Sequence, residues 1–129
     1  MIPVINENDM VDKEEFDYRR TFTDNDILAA LVAVNLGVDL AILLTDVDGL
    51  YAADPKRDAE ATLIEEVAAV TPEIESMAGA TTNNLGLGGM SSKVLAARRI
   101  TEAGIEAVIA SGRHYLPDVL ERRVRHTRF

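Results

Sequence analysis

The sequence contains no cysteine, no tryptophan and only two histidines, His114 and His126. Without cysteine the chain can form neither disulfide bonds nor a thiolate metal site, and two histidines are too few for a histidine-based metal cluster. No apolar run approaches the roughly 20 residues that cross a bilayer, and the first residues lack the pattern of a signal peptide. We therefore expect a cytoplasmic protein with no membrane contact and no metal ion held by the protein alone.

Positive charge is also scarce, because 22 Asp and Glu outweigh 13 Lys and Arg and leave a net charge of −9. This balance argues against a general nucleic-acid binder, which needs a basic surface to neutralise phosphates. The charge is unevenly spread, since residues 1–92 hold 18 of the acids and residues 93–129 hold 8 of the bases. We interpret the C-terminal arginines as a solvated helix face, with a weak RNA-binding edge or a docking surface as alternatives.

A chain of 129 residues is one domain in size and long enough to bury a core. Short apolar runs alternate with longer stretches of helical period, which predicts alternating strands and helices. Gly37 and Gly104 stand where two of these helices should stop, and Pro72 stands at a helix start. The predicted strands cover residues 1–5, 39–45, 62–67 and 106–110, and the predicted helices cover residues 27–36, 72–78, 89–103 and 117–123. This order favours an α/β fold with parallel strands joined by right-handed crossovers.

Residues 86–93, Gly-Leu-Gly-Gly-Met-Ser-Ser-Lys, form a glycine-rich stretch directly ahead of a predicted helix. Glycine lets the backbone approach a ligand closely, and the N–H groups at a helix start bind anions. Lys93 would lie in the first turn, where a cation opposes the helix dipole unless an anion lies beside it. The stretch is neither a Walker A loop nor a dinucleotide fingerprint. It predicts a phosphate site, with a plain connecting turn as the alternative.

Polar side chains follow or precede the apolar runs at three further places. Residues 6–9 follow the first predicted strand, residues 24–26 precede the first predicted helix, and Thr45 and Asp46 end the second strand. In open α/β sheets, ligands bind at the carboxyl ends of the strands. Asn and Asp are also common in turns and helix caps, but two carboxylates flanking Asn25 exceed what one cap requires.

These residues resemble the amino acid kinase superfamily, and within it the glutamate 5-kinases. Thr-Asp-Val-Asp-Gly-Leu-Tyr at residues 45–51, followed by Ala-Asp-Pro at residues 53–55, resembles the superfamily's nucleotide strand and loop. Residues 86–93 resemble its second glycine loop, and the more specific signal is Ile-Asn-Glu-Asn-Asp at residues 5–9 paired with Asp-Asn-Asp at residues 24–26. The resemblance implies a three-layer αβα sandwich with a mainly parallel sheet, of which residues 1–129 would be the C-terminal, ATP-binding part.

The resemblance also implies a reaction, the transfer of the γ-phosphoryl group of ATP to the side-chain carboxylate of L-glutamate in the first step of proline biosynthesis. Lys93 would neutralise charge on the transferring group, and Asp26 would orient the catalytic lysines. The implied glutamate-binding residues are Asn6, Asp9, Asp24 and Asn25. The implied ATP-binding residues are Thr45, Asp46, Leu87, Gly88, Gly89, Met90, Ser91, Ser92 and Lys93. A carboxylate nucleophile is already ionised, so no general base is needed, and ATP would arrive with Mg²⁺.

The family's N-terminal half, with its first glycine loop and another catalytic lysine, has no counterpart in the sequence. We expect this missing half to be a partner of the chain, the chain alone to turn over poorly, and the intact enzyme to be a homo-oligomer. Two alternatives stay open. One is another kinase of the superfamily, similar to uridylate or acetylglutamate kinase, and the other is a non-catalytic nucleotide-binding module.

Overall fold

The structure, a computed structural model, describes residues 1–6, 25–80 and 89–129. Four helices and three strands lie within these residues. In chain order they are α1 (Asn25–Leu36), β1 (Leu40–Thr45), α2 (Pro72–Ala80), α3 (Met90–Glu102), β2 (Glu106–Ser111), α4 (Leu116–Leu120) and β3 (His126–Arg128). None of the described helices combines the length and the apolar character that crossing a membrane requires.

Two units of helix, glycine and strand form the frame of the fold. α1 is rich in the strong helix formers Ala and Leu and is followed by Gly37, which has a φ of 60°. The turn after α3 contains Gly104, with a φ of 79°, and Ile105 N donates to Ile100 O at 3.2 Å. This left-handed backbone favours glycine, so each glycine ends its helix and turns the chain into the next strand. Both helix stops were predicted and are confirmed.

The strands form one sheet in the order β1-β2-β3. β1 and β2 are parallel, with Leu40 opposite Glu106 and Thr45 opposite Ser111. β3 runs antiparallel to β2, so the sheet is mixed. β2 is the central strand, and five of its six residues are buried. Within the described residues, the other edge of β1 carries no strand.

Side chains of β1 and β2 alternate between two cores. On one face, Leu43 and Ile109 pack in the larger core together with α1, α2 and α3. On the opposite face, Ile42 and Val108 pack with Val119 of α4. Helices therefore cover both faces of the sheet, which is the three-layer arrangement that the resemblance implied.

Two expectations about local structure were wrong, and one strand was not predicted. Residues 1–5 form no strand, and Ile2 and Val4 are each 90% exposed. A strand is stable only when it is paired, and no ladder joins this segment to the described sheet. Residues 62–67 make isolated bridges instead of a strand. β3 was not predicted, because its three residues, His-Thr-Arg, carry no apolar alternation.

Candidate active site

One end of the sheet gathers two helix starts and two strand ends. α1 packs on β1 and α3 packs on β2. Each helix is joined to its strand by only three residues, 37–39 and 103–105, so each helix runs antiparallel to the strand that it precedes. The N-termini of α1 and α3 therefore lie at the carboxyl ends of β1 and β2. This is the end at which open α/β sheets bind their ligands.

An ion pair joins the first turns of the two helices at this end. Lys93 Nζ of α3 donates to both carboxylate oxygens of Asp26 of α1, at 2.9 Å and 3.2 Å. The two side chains are only 14% and 15% exposed. Both residues were predicted as catalytic from the sequence, and the structure brings them together across 67 positions of the chain.

The helix dipoles act in opposite senses on these two charges. The carboxylate of Asp26 lies in the first turn of α1, where a negative charge is favourable by about 0.3–1 kcal/mol. The ammonium of Lys93 lies in the first turn of α3, where the dipole disfavours it by a similar amount. The contact with Asp26 offsets that penalty. An anion placed beside the start of α3 would offset it further.

The second group of the site lies at the carboxyl end of β1. Thr45 Oγ1 donates to Asp46 Oδ1 at 3.4 Å, and Lys56 Nζ donates to Asp46 Oδ2 at 3.0 Å. The hydrogen bond from Lys56 is the main cause that holds the pKa of Asp46 below its usual value. The two ionic side chains are 64% and 70% exposed, so this pair contributes at most about 1 kcal/mol to stability.

Lys56 is a candidate site residue that the sequence reasoning missed. It lies in a turn built by Asp54, whose Oδ1 accepts a hydrogen bond from Lys56 N at 2.9 Å. This Asp-Pro-Lys turn brings the lysine back over Asp46, ten residues earlier in the chain. The turn-forming Asp54-Pro55 pair was the available signal, because such pairs reverse the chain direction.

The glycine-rich stretch meets the helix start as predicted, as far as it is described. Gly89 is the N-cap of α3, and its carbonyl accepts a hydrogen bond from Lys93 N at 3.2 Å. Met90 points into the main core, so only its backbone can face a ligand. Ser91 is exposed and Ser92 is partly exposed in the first turn. The predicted ATP-binding residues Leu87 and Gly88 lie outside the described residues.

The predicted glutamate-binding residues are described only in part. Asn25 is the first residue of α1 and is exposed. Asn6 is also exposed, and its neighbour Ile5 lines the same groove as Asn25. Asp9 and Asp24 lie outside the described residues.

The metal-binding capacity of this end of the sheet is limited. In the described part of the chain, no group of three or more His, Cys, Asp and Glu side chains could hold a metal ion. Asp26 and Asp46 provide separate carboxylates, each contacted by a lysine. One or two carboxylates are what Mg²⁺ commonly takes from a protein when phosphates supply its other ligands. The residues therefore fit a magnesium ion that arrives with a phosphorylated ligand.

The sequence matches one family of known proteins and resembles several of its members. The sequence model of the amino acid kinase family matches residues 1–111. The glutamate 5-kinase of Methylibium petroleiphilum is 52% identical over 122 residues, which are 95% of this chain and 31% of that protein. The glutamate 5-kinase of Nitrosomonas eutropha is 50% identical over 113 residues, which are 88% of this chain and 29% of that protein. The chain thus spans less than a third of the length of these relatives.

Solved structures share the fold. The UMP kinase from Ureaplasma parvum has a TM-score of 0.58 at 21% identity, over 80% of this chain and 40% of that chain. The carbamate kinase from Giardia lamblia bound to AMP-PNP has a TM-score of 0.56 at 29% identity, over 80% of this chain and 30% of that chain. The matched segment is less than half of each solved chain.

Proposed function

The chain belongs to the amino acid kinase family, and from that premise we propose that it is the ATP-binding part of a glutamate 5-kinase. Such an enzyme transfers the γ-phosphoryl group of ATP to the side-chain carboxylate of L-glutamate. The names of the relatives and their sequence identity to this chain support glutamate as the substrate. The ion pair between Lys93 and Asp26 is the observation on which the proposed mechanism rests.

Phosphoryl transfer requires positioning and electrostatic stabilisation more than covalent participation by the protein. The contact with Asp26 orients the ammonium group of Lys93 before a substrate arrives, so little reorganisation is needed during the reaction. A lysine ammonium has three N–H donors, and the carboxylate uses at most two of them. A phosphoryl oxygen can therefore accept a further hydrogen bond from Lys93 as its negative charge develops.

The nucleotide would lie across the start of α3 and the carboxyl end of β1. The residues proposed for the phosphates are residues 87–93, which end in the first turn of α3, and helix starts bind phosphate oxygens in general. Thr45 and Asp46 would contact the nucleotide from the strand end. The carbamate kinase that shares the fold at 29% identity is bound to AMP-PNP, which supports an adenine nucleotide as the ligand.

Magnesium fits the proposed site as a companion of the nucleotide. Mg²⁺ supplies positive charge to phosphate oxygens when bound, and the carboxylates of Asp46 and Asp26 are the described groups that would hold it. The residues proposed for glutamate are Asn6, Asp9, Asp24 and Asn25. Amide groups can donate to the substrate carboxylates and carboxylates can accept from its amino group. The reacting carboxylate is already ionised, so no general base is assigned.

The remainder of a kinase domain is the partner that we propose for the edge of β1 that carries no strand among the described residues. An apolar groove of about 370 Å³ lies beside that edge, between α1, β1 and the segment that contains Pro3 and Ile5. Leu44 of β1 is half exposed, and an uncovered strand edge invites pairing with another chain. Replacing Leu44 by lysine should reduce self-association of the isolated chain in sedimentation velocity. A variant that associates as strongly as the native chain would argue against this edge.

A chimeric enzyme tests the proposed function. Residues 1–129 replace the matching segment of one of the glutamate 5-kinases described above, whose unaltered form is the control. Acyl phosphate is trapped as the hydroxamate, with glutamate, aspartate and acetylglutamate as acceptors, and UMP is tested for phosphorylation separately. We expect ATP-dependent phosphorylation of glutamate in preference to the others. Phosphorylation of UMP or acetylglutamate instead would assign the chain to another member of the family, and ATP binding without transfer would favour a non-catalytic module.

A further inference from the structure

A buried threonine outside the proposed site holds the loop that follows β1. Thr127 of β3 is fully buried. Its Oγ1 accepts a hydrogen bond from Leu50 N at 2.8 Å and donates one to Ile64 O at 2.7 Å. Leu50 belongs to residues 46–51, which we call the strand-end loop. One hydroxyl thus satisfies a donor and an acceptor from backbone segments 77 and 63 positions earlier in the chain.

The strand-end loop lies directly against β3. A Cβ atom built on Gly49 would meet Thr127 Oγ1 and would lie 2.9 Å from Thr127 N. The second of these atoms belongs to the backbone, so it cannot move aside by a rotamer change. Glycine is required at this position by the close approach of two backbones. The position of β3 therefore determines the position of the loop.

Asp48 attaches the same loop at a second point. Its Oδ1 is 3.3 Å from His114 Nε2, and its Oδ2 accepts a hydrogen bond from Tyr51 OH at 3.4 Å and lies 3.9 Å from Arg125 Nη1. Burial, followed by the charge of Asp48, raises the pKa of Tyr51, so the phenol stays protonated and donates. His114 follows β2 and Arg125 precedes β3. Asp48 thus connects the loop to the end of β2 and to the start of β3.

We propose that Thr127 and Asp48 are positioning residues for the nucleotide, because they hold the strand-end loop that begins with Asp46. The inference rests on the proposed function, since ATP is the ligand that would respond to the position of Asp46 and its partner Lys56. Asp46 is two residues from Asp48 and four from Leu50, and consecutive Cα atoms are about 3.8 Å apart. A shift at either attachment is therefore transmitted to Asp46 within a few residues. Thr127 lies beyond the residues that the family model matches, 1–111.

Paired substitutions in the chimeric enzyme test this inference. Thr127→Val keeps the size of the side chain but leaves Leu50 N and Ile64 O without their partner, whereas Thr127→Ser keeps the hydroxyl. We expect Thr127→Val to raise the KM for ATP roughly tenfold, with the KM for glutamate unchanged. Thr127→Ser should keep the KM values for both substrates within about twofold of those of the unsubstituted enzyme, because it retains the hydroxyl that bonds to Leu50 N and Ile64 O.

Two further variants separate positioning from a general loss of stability. Val119→Ala removes buried volume from the opposite core and leaves the strand-end loop untouched, so it should keep both KM values within about twofold. Asp48→Asn alters a partly exposed side chain and should raise the KM for ATP severalfold. If Thr127→Val does not fold, the KM of this variant tests whether the strand-end loop positions the nucleotide.

The outcomes distinguish this inference from the proposed function. If Thr127→Val and Asp48→Asn leave the KM for ATP unchanged, or if Val119→Ala raises it equally, the positioning role is wrong. If the unsubstituted chimera does not phosphorylate glutamate, the proposed function fails instead. In that case the affinity of the same variants for AMP-PNP is measured by calorimetry. Weaker binding by Thr127→Val and Asp48→Asn, but not by Val119→Ala, supports the positioning role, and unchanged binding contradicts it.

Discussion

Removal of the Asp26 carboxylate tests how firmly the candidate site holds Lys93. Lys93 Nζ lies 2.9 Å from Asp26 Oδ2, and the side chains are 14% and 15% exposed. At this separation the Coulomb attraction is about 6 kcal/mol for an effective dielectric constant of about 20. Most of that attraction is offset by the cost of removing two charges from water. We therefore expect a coupling free energy of about 2 kcal/mol between the two side chains.

A double-mutant cycle measures this coupling. The free energy of unfolding in urea is determined for the chain, for Asp26→Ala, for Lys93→Ala and for the double variant. The matched control is the cycle for Asp46 and Lys56, the same two residue types at 3.0 Å but 64% and 70% exposed. That pair should couple by at most about 1 kcal/mol. Added salt should reduce the coupling of the exposed pair more than that of the largely buried Asp26–Lys93 pair.

Equal coupling free energies in the two cycles would contradict the claim that burial strengthens the contact between Asp26 and Lys93. It would mean that Asp26 holds Lys93 no more firmly than a solvated contact does, and that the ammonium group is not oriented before substrate binds. A coupling of the expected size would instead support an ammonium group held in place by the junction of α1 and α3.

Three other outcomes are expected. Lys93→Ala in the chimeric enzyme should lower kcat about a thousandfold in the hydroxamate assay, because charge on the phosphoryl group loses its stabilisation, and an unchanged kcat would contradict that role. Lys56→Ala should raise the pKa of Asp46, followed by NMR titration, because the hydrogen bond from Lys56 is the main cause of its lowering. A lowered carboxylate pKa stabilises the fold above the usual pKa, and this small contribution disappears as the pH falls through the folded-state value; an unshifted titration would show that Lys56 is not the cause. Gly49→Ala should lower the free energy of unfolding in urea by about 1–3 kcal/mol because its Cβ meets Thr127, and native stability would contradict the close approach.

Most of the local structure could be predicted because its causes lie within a few residues. The helical period of α3 places Val94, Ala97 and Ile100 on one buried face, and all three are buried in the structure. The glycines after α1 and α3 stop those helices because only a left-handed residue satisfies the last turn. These effects depend on neighbours in the chain and not on the rest of the fold.

The wrong and missed predictions concern features that depend on contacts between distant parts of the chain. Residues 2–5 are as apolar as β1, yet they form no strand, because strand formation depends on a paired edge. Thr127 carries no sequence signal, since one threonine in a short polar run is unremarkable until its hydroxyl meets Leu50 and Ile64. Lys56 follows the turn-forming Asp54-Pro55 pair in the sequence, but its contact with Asp46 depends on how that turn folds back.

The sequence by itself determined the helices, the two main strands, the glycine stops and the types of side chain available to the candidate site. Only the tertiary structure decided which of those side chains meet. Asp26 and Lys93 come together because α1 and α3 pack side by side at the same end of a parallel strand pair. The physical reason is that propensity and periodicity act over a few residues, whereas contacts across 60 to 80 positions follow from which apolar faces bury one another.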